Sequence, residues 1–273
     1  MLFRTPLPFQ DALDSRLVKS ILPTDFRTQL LREIPAVLRE RAMFSAGVTN
    51  AEFLEKANDS INELVSGTTD RATKRLELKK LLDQLGYHPA EGEEGTLTDL
   101  SSDARLNLIL DTNLEQAQGY GYWKQGQQKS VLDQWPAQEL IRVTEPKGEE
   151  RDWAARWTKC GGEFFGGRMI ALKNDDIWDQ LGDSDTFSDG LDNPYPPFAF
   201  NSGMDVTDVD RDEAVKLGLI NEDTQIEPED RGFNDDLQAS PEVREKALQQ
   251  ALVESLAGIA KLVGGVLKFT GGN

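Results

Sequence analysis

The chain has 273 residues, 38% of them apolar and 29% charged, with a formal net charge of −18. A single cysteine excludes disulfides within the chain and multi-cysteine zinc or iron–sulfur sites, and a single histidine excludes sites that need two imidazoles. The acidity opposes broad contact with DNA or anionic membrane, because both rest on Lys and Arg side chains that neutralise phosphate. The composition therefore predicts a soluble protein that does not read nucleic-acid sequence.

The first part of the chain is predicted to be mainly helical. Apolar residues recur at helical spacing around Pro35, and Thr49 with Glu52 forms a capping box before an amphipathic helix that ends at Gly67. The apolar stripe of that helix is Phe53, Leu54, Ala57, Ile61, Leu64 and Val65. The next helix is predicted over Thr69–Leu85, with the inward residues Ala72, Leu76, Leu81, Leu82 and Leu85.

A further helix is predicted to begin at Ser102 or Asp103 and to run to about Lys129. Glycine inside a helix costs about 1 kcal/mol relative to alanine, so a helix that keeps several glycines is expected to use them for close packing. The second half of this helix contains three: Gly119, Gly121 and Gly126.

After Trp135-Pro136 the pattern changes from helical to mixed. Gly166-Gly167 between two apolar runs predicts a β-hairpin, because glycine adopts the positive φ that a two-residue turn requires. The other predicted elements in this part are a strand over Leu140–Thr144, a short helix over Asn174–Leu181, a loop over Asp185–Ser202, a strand over Met204–Val209 and a helix capped by Asp210 that ends at Gly218.

The acidity is concentrated towards the C-terminal end. Asp175–Asp236 holds 19 acidic residues against three basic ones, which is −16 of the total charge. An acidic linker over 221–240 is predicted to lead into a C-terminal amphipathic helix, which starts at Glu242 and extends to about Leu262. Its apolar face is predicted to dock in a partner's groove or on the chain itself, with the partner-binding residues Leu248, Leu252, Leu256, Ile259 and Val263.

These patterns together predict an α+β fold in four parts. A mainly helical part over 1–130 precedes a small mixed α/β part with a hairpin over 131–220, the acidic linker over 221–240 and the C-terminal helix over 241–273. Met1–Gln10 lacks the apolar run of a signal peptide, and no segment predicts a stable membrane span.

No catalytic residue set and no cofactor are predicted. His88 lies in a glycine- and glutamate-rich loop, where an imidazole is solvated rather than held by a buried carboxylate. Cys160 follows a lysine, but no base for it is evident, and a lone cysteine is more often a small buried hydrophobe. With 48 acidic residues, any pair chosen for glycoside cleavage is uninformative, so a wall hydrolase stays an open alternative.

Two charged clusters have a functional and a structural interpretation. Four acidic residues could hold a divalent ion, but the EF-hand register fails because Glu213 and Leu219 replace the required Gly and Glu. A capped helix N-terminus is the favoured interpretation and no metal site is predicted, with an irregular divalent-ion site left open as the alternative. These candidates are Asp205, Asp208, Asp210 and Asp212. The densest basic cluster could contact phosphate, although a solvated helix exterior is the favoured interpretation; it consists of Arg71, Lys74, Arg75, Lys79 and Lys80.

Six short segments occur in a recognisable order. They are Leu7–Ala12 (LPFQDA), Arg41–Val48 (RAMFSAGV), Leu81–Tyr87 (LLDQLGY), Asp111–Gly119 (DTNLEQAQG), Asn193–Ser202 (NPYPPFAFNS) and Glu213–Leu219 (EAVKLGL). Their order resembles that in the phage Mu F-like minor head protein (phage head morphogenesis) family, over roughly residues 6–220. The residues that match its motifs are Phe44, Gly47, Thr112, Asn113, Gly119, Pro196, Pro197, Asn201, Leu217 and Gly218.

The chain also departs from the family pattern. Asp111 stands where an arginine is common, and Phe198, Ser202 and Met204 stand in a region where many members carry Cys and His. A metal site is therefore not expected there. We expect aromatic residues to hold this part of the fold instead, namely Trp153, Trp157, Trp178 and Phe200.

The resemblance implies an assembly role rather than a reaction. It predicts a minor head structural protein of a tailed phage or prophage that acts in head assembly at the portal, and in DNA packaging or ejection. Its expected partners are the portal, the major capsid protein or both, with a homo-oligomer in the virion left open. The expected location is the capsid interior or portal vertex, and the host cytoplasm during assembly. The alternative is a virion-carried enzyme, such as a cell-wall hydrolase, or a delivered effector.

Overall fold

A computed structural model describes residues 9–17, 19–21, 42–43, 45, 47–145, 151–229, 260–263 and 266–269. The chain divides into two compact units. We call Met1–Pro8, Leu13–Leu114 and Arg231–Asn273 the helical unit, and Phe9–Ala12 with Glu115–Asp230 the sheet unit. The predicted division at residues 130, 220 and 240 stays a prediction.

Helices dominate the described part of the helical unit. The elements in chain order are α1 (Gln10–Leu17), β1 (Ser20–Ile21), β2 (Ala42–Met43), α2 (Ala51–Val65), α3 (Arg71–Gln84) and α4 (Asp103–Gly126). Strands β1 and β2 form a short parallel pair. Both α1 and α4 cross the division between the units, and the second half of α4 belongs to the sheet unit.

Helix α2 buries the predicted stripe except for Leu64, which is half-buried, and it begins one residue later than predicted. Phe53, Leu54, Ala57, Ile61 and Val65 are all buried. The N-cap is Asn50 rather than Thr49: its side-chain oxygen accepts a hydrogen bond from the amide of Phe53 at 2.8 Å.

Helix α3 lies with a different face inward from the one predicted. Its buried residues are Lys74, Leu78 and Leu82, whereas Leu76 is 57% exposed. Leu82 is buried as predicted, but the prediction was wrong for Ala72, Leu76 and Leu85, which are exposed, because it treated Lys74 as a surface residue. The ammonium of Lys74 pairs with Glu63 at 2.5 Å, which allows its aliphatic stem to be buried.

The sheet unit contains one four-stranded antiparallel sheet with the strand order β4-β5-β3-β6. Its strands are β3 (Ala137–Arg142), β4 (Phe164–Phe165), β5 (Arg168–Leu172) and β6 (Met204–Val209), and its helices are α5 (Lys129–Gln134), α6 (Trp153–Lys159), α7 (Ile177–Gly182) and α8 (Arg211–Leu217). The predicted hairpin is confirmed, with φ of 60° at Gly166 and 83° at Gly167. Helix α6 was not predicted.

Apolar side chains cover both faces of this sheet. On one face α6 and α7 contribute Trp157 and Trp178, whose rings lie edge to face with centroids 5.5 Å apart. On the other face α5 and α8 contribute Leu132 and Ala214. The α+β fold class is therefore confirmed. Phe198 is buried in the aromatic cluster, whereas Phe200, which we predicted to belong to it, is only half-buried.

Near the C-terminal end, the described residues form two strands and not the predicted helix. Strands β7 (Ala260–Val263) and β8 (Val266–Phe269) pair antiparallel, with Val263 opposite Val266. The helical prediction is wrong for 260–262, because β-branched residues flank a Gly-Gly pair in the sequence, which is typical of a hairpin. The other predicted partner-binding residues lie outside the described residues: Leu248, Leu252, Leu256 and Ile259.

Candidate functional site

Two glycines in the second half of α4 make close contacts within the sheet unit. A Cβ atom on Gly119 would lie 1.8 Å from the carbonyl oxygen of Pro196, and one on Gly121 would lie 2.5 Å from Cζ of Phe9. Real Cβ atoms do not approach other atoms this closely, so both positions require glycine as they stand. Gly126 differs, because a Cβ there would make only ordinary contact with Lys173, 3.6 Å from its Nζ.

Aromatic rings surround the contact between α4 and the loop over residues 185–202, which we call the proline-rich loop. The ring centroid of Tyr195 lies 5.9 Å from that of Tyr120 and 6.2 Å from that of Trp123. All three side chains are buried. Such pairs contribute about 0.5–1.5 kcal/mol beyond area burial, so they reinforce the backbone contact at Gly119.

The proline-rich loop is held by its own hydrogen bonds. Buried Asn193 donates from Nδ2 to the carbonyl oxygen of Pro197 at 3.0 Å, and the amide of Leu191 donates to the carbonyl oxygen of Phe198 at 3.0 Å. The Pro196-Pro197 peptide bond is cis, and Asn201 has a φ of 49°. The loop therefore presents a defined surface to α4.

Two arginines share one carboxylate of this loop. Asp189 pairs with Arg151 at 2.6 Å and with Arg156 at 2.9 Å. Arg151 also donates to the carbonyl oxygens of Phe200 and Asn201, and Arg156 donates to that of Leu181. Burial lowers the pKa of Arg156, although Asp189 opposes the shift. These bonds fix both ends of the loop.

The helical unit contains a different polar centre around Arg16, which is 1% exposed. Its guanidinium donates to Oδ1 of Asn62 at 3.0 Å, of Asn113 at 3.2 Å and of Asn58, and it lies 3.8 Å from Sδ of Met43. Burial lowers the pKa of Arg16 to about 10. Asn113 belongs to the Asp111–Gly119 segment, so this motif residue holds a buried cation.

The remaining motif residues lie at turns and helix ends or are part of a helix. Gly47 has a φ of +67° and Gly218 one of +80°, and Gly218 is the left-handed C-cap that ends α8 after Leu217. Thr112 is half-buried on α4. Phe44 lies outside the described residues.

Three of the four acidic metal candidates interact with different groups. Asp205 accepts from the amide of Val206, Asp208 pairs with Lys173 at 2.7 Å, and Asp210 caps α8 through the amide of Glu213. Asp212 is exposed in the first turn of α8. Among the described residues, no three Asp, Glu, His or Cys side chains gather in a metal-binding arrangement.

The basic cluster on α3 is largely neutralised by other helices. Arg71 pairs with Asp111 at 2.6 Å, and both Arg75 and Lys79 pair with Asp103, at 3.3 and 2.6 Å. Lys74 is buried against Glu63, whereas Arg71 and Lys80 keep the exposed position expected of a solvated helix exterior. These cations join helices and leave little charge for phosphate.

The two side chains considered as catalytic candidates differ in exposure. His88 is exposed, and Cys160 is 8% exposed. Burial raises the pKa of the Cys160 thiol, with Arg156 and Lys159 opposing the shift. A raised pKa disfavours the thiolate, which is the form that attacks.

Comparison of the chain with protein-family models, with curated proteins and with solved structures finds no match. In the described part of the chain, no helix is long and apolar enough to cross a membrane.

Proposed function

We propose that this chain is a minor head structural protein of a tailed phage or prophage, acting in head assembly at the portal. One observation carries the proposal. Two of the segments that resemble the Mu F-like family, distant in sequence, contact each other in the sheet unit, because Pro196 of the proline-rich segment lies on Gly119 of Asp111–Gly119. Phe9 of the first segment lies on Gly121, two residues beyond Asp111–Gly119 on the same helix. A shared order of motifs has a physical reason if the motifs form one packing unit.

The polar side chains support a scaffold role rather than a catalytic one. Arg16, Arg156 and the cations of α3 are engaged in hydrogen bonds and ion pairs within the chain. Such contacts fix the positions of helices and loops, which is what a protein that docks through its surface needs. The partners we propose are the portal and the major capsid protein, and the location is the capsid interior or portal vertex.

Residues 242–273 are proposed as one anchor to the portal, and the acidic region Asp175–Asp236 as another. The test is co-expression of the full chain with the portal protein encoded in the same genome, followed by affinity purification. We expect the full chain to co-purify, and a chain that lacks Glu242–Asn273 to lose the portal while the far-ultraviolet circular dichroism of the rest persists.

Two results would contradict these proposals. Retained portal binding by the shortened chain would remove the C-terminal anchor, and failure of the full chain to bind either portal or major capsid protein would remove the head-assembly role. Release of soluble fragments from purified cell wall by the full chain would favour the virion-carried hydrolase instead.

A further inference from the structure

The four-stranded sheet has two edges that differ in length. Strand β4 forms one edge and is only two residues long, whereas β6 forms the other edge with six residues, Met204–Val209. In the described part of the chain, no strand pairs with the outer side of β6. A long unpaired edge offers its amides and carbonyl oxygens to a strand of another molecule, so natural proteins shorten or block such edges. The edge at β4 is protected by its shortness, and β6 requires another means.

The acceptors of the β6 amides identify which of them point away from β3. All six residues of β6 lie opposite residues of β3, and in an antiparallel pair every second residue directs its amide away from the partner strand. The amide of Met204 donates to Oγ of Ser202 at 3.2 Å. The amide of Val206 donates to Oδ1 of Asp205 at 2.8 Å. Since neither amide binds β3, the outward set consists of Met204, Val206 and, by the same alternation, Asp208.

Side chains of the chain itself occupy two of these outward amides. Ser202 precedes β6 and is 3% exposed, so its hydroxyl blocks the beginning of the edge. Asp205 lies within the strand, is exposed and accepts from the amide that directly follows it. A strand from another molecule would have to displace the Asp205 carboxylate before its own carbonyl oxygen could reach the amide of Val206. The carboxylate also places a negative charge on the edge, which opposes the approach of another acidic strand.

Without the Asp205 carboxylate, this edge would be suited to pair with the same edge of a second copy. Three of its residues, Val206, Thr207 and Val209, favour strands, and the strand contains no proline. A two-fold axis at Val206 would let the Val206 residues of the two copies exchange amide-to-carbonyl hydrogen bonds in an antiparallel pair. The same axis would place Met204 of each copy opposite Asp208 of the other. Every outward residue of one copy would then meet an outward residue of the other.

We propose that Asp205 closes the outer edge of β6 to a second copy of this chain, with Ser202 closing the beginning of that edge. Loss of the Asp205 carboxylate frees the amide of Val206, and two copies then associate through antiparallel pairing of their β6 strands. The interaction surface is the outer edge of Met204–Val209, and its occupant is the same edge of the second copy. This association is independent of the head-assembly role, because it involves one kind of chain alone.

The test measures self-association of the full chain by sedimentation velocity over a range of concentrations. Asp205→Val removes both the acceptor and the charge. We expect this variant to self-associate at least about tenfold more tightly than the unchanged chain, because hydrogen bonds between the two strands are gained. Hydrogen exchange at the amide of Val206 should slow as the variant associates. Asp212→Val makes the same change at an exposed position of α8, outside β6, and should leave the association unchanged.

Two further variants separate the blocked amide from the charge and locate the contact. Asp205→Asn keeps an oxygen that accepts from the amide of Val206 but removes the charge, so it should associate less tightly than Asp205→Val. Val206→Pro, added to Asp205→Val, removes an amide that β3 does not use. Proline is tolerated on an edge strand at such a position, so the far-ultraviolet circular dichroism should persist while the tighter association is lost.

Four results would overturn the proposal. Association of Asp205→Val no tighter than that of the unchanged chain would show that this residue does not close the edge. Equal tightening by Asp212→Val would reduce the effect to net charge and apolar surface. Association of Asp205→Asn as tight as that of Asp205→Val would remove the role of the blocked amide. Tight association that persists after Val206→Pro is added to Asp205→Val would place the contact outside β6.

Discussion

The two units each bury an arginine, and they satisfy it differently. In the helical unit, Arg16 is surrounded by the neutral amide oxygens of three asparagines. In the sheet unit, Arg156 has a carboxylate, Asp189, and a backbone carbonyl, that of Leu181. An amide oxygen carries only a partial charge, so its stabilisation depends on short, aligned bonds, whereas a carboxylate attracts a cation over longer distances.

This difference indicates which kind of substitution should destabilise each unit. The centre around Arg16 needs side chains from α1, α2 and α4 in register, so it ties separate helices of the helical unit to one geometry. The sheet unit relies more on its tryptophan cluster, with Trp157 fully buried and Trp178 2% exposed. We therefore expect polar substitutions to disturb the helical unit most and large-to-small apolar substitutions to disturb the sheet unit most.

The largest expected effect comes from Trp157→Ala. Removing a fully buried indole leaves a cavity and an unpaired carbonyl at Glu163, and we expect a loss of about 3–5 kcal/mol in the free energy of unfolding. Hydrogen exchange should accelerate in α6, α7 and the sheet, and not in α2 and α3. Unchanged thermal stability would contradict the claim that tryptophans hold this unit.

Arg16→Met should destabilise the helical unit. The substitution keeps much of the volume but leaves three asparagine oxygens without their donor, and we expect a loss of about 2–4 kcal/mol in the free energy of unfolding. The measurement is hydrogen exchange in α2 and the first half of α4, with the sheet as the internal reference. Equal acceleration in both units would show that they do not respond separately.

Alanine substitutions at three glycines of α4 should give smaller and graded losses of stability. Gly119→Ala brings a Cβ onto the Pro196 carbonyl, so the backbone must shift, and we expect a loss of about 1–3 kcal/mol. Gly121→Ala meets the Phe9 ring, a side chain that can move, and should cost less. Gly126→Ala meets only ordinary contacts and should leave the melting temperature equal or slightly higher. Any other order of the three would contradict the contacts described here.

The smallest effect is expected at Arg168, which bridges Glu139 and Glu213 on the sheet unit. The distances are 2.6 and 2.5 Å, but Arg168 is 37% exposed and solvent screens the pairs. Arg168→Gln should lower the stability by about 0.5–1 kcal/mol, and less at high salt. An effect as large as that of Trp157→Ala would mean that ion pairs, rather than the aromatic cluster, hold the sheet.

Local patterns predicted several elements because short-range physics decides them. The Gly166-Gly167 hairpin, strand β6 and the Gly218 C-cap were predicted, since each depends on a few neighbouring residues. The inward face of α3 was predicted wrongly, because the burial of Lys74 depends on Glu63 of another helix. Helix α6 was missed, and its boundaries depend on packing around Trp153 and Trp157.

The site was predicted only in part for a related reason. Three glycines in one helix signalled close packing, and two of them make it, but the sequence does not reveal that Pro196 and Phe9 are the neighbours. The hydrogen-bond partners of Arg16, Asn62 and Asn113, lie 46 and 97 residues away, and no periodicity connects them. Nε1 of Trp153 is buried without an acceptor, which only the folded chain reveals.

The most direct test of the central claim is quantitative mass spectrometry of particles purified from the phage or induced prophage that encodes this chain. A minor head protein should be present in intact, nuclease-treated particles at a copy number far below that of the major capsid protein. It should also be missing from tails separated from heads. Absence of the chain from purified heads, with normal head assembly when its gene is deleted, would contradict the account.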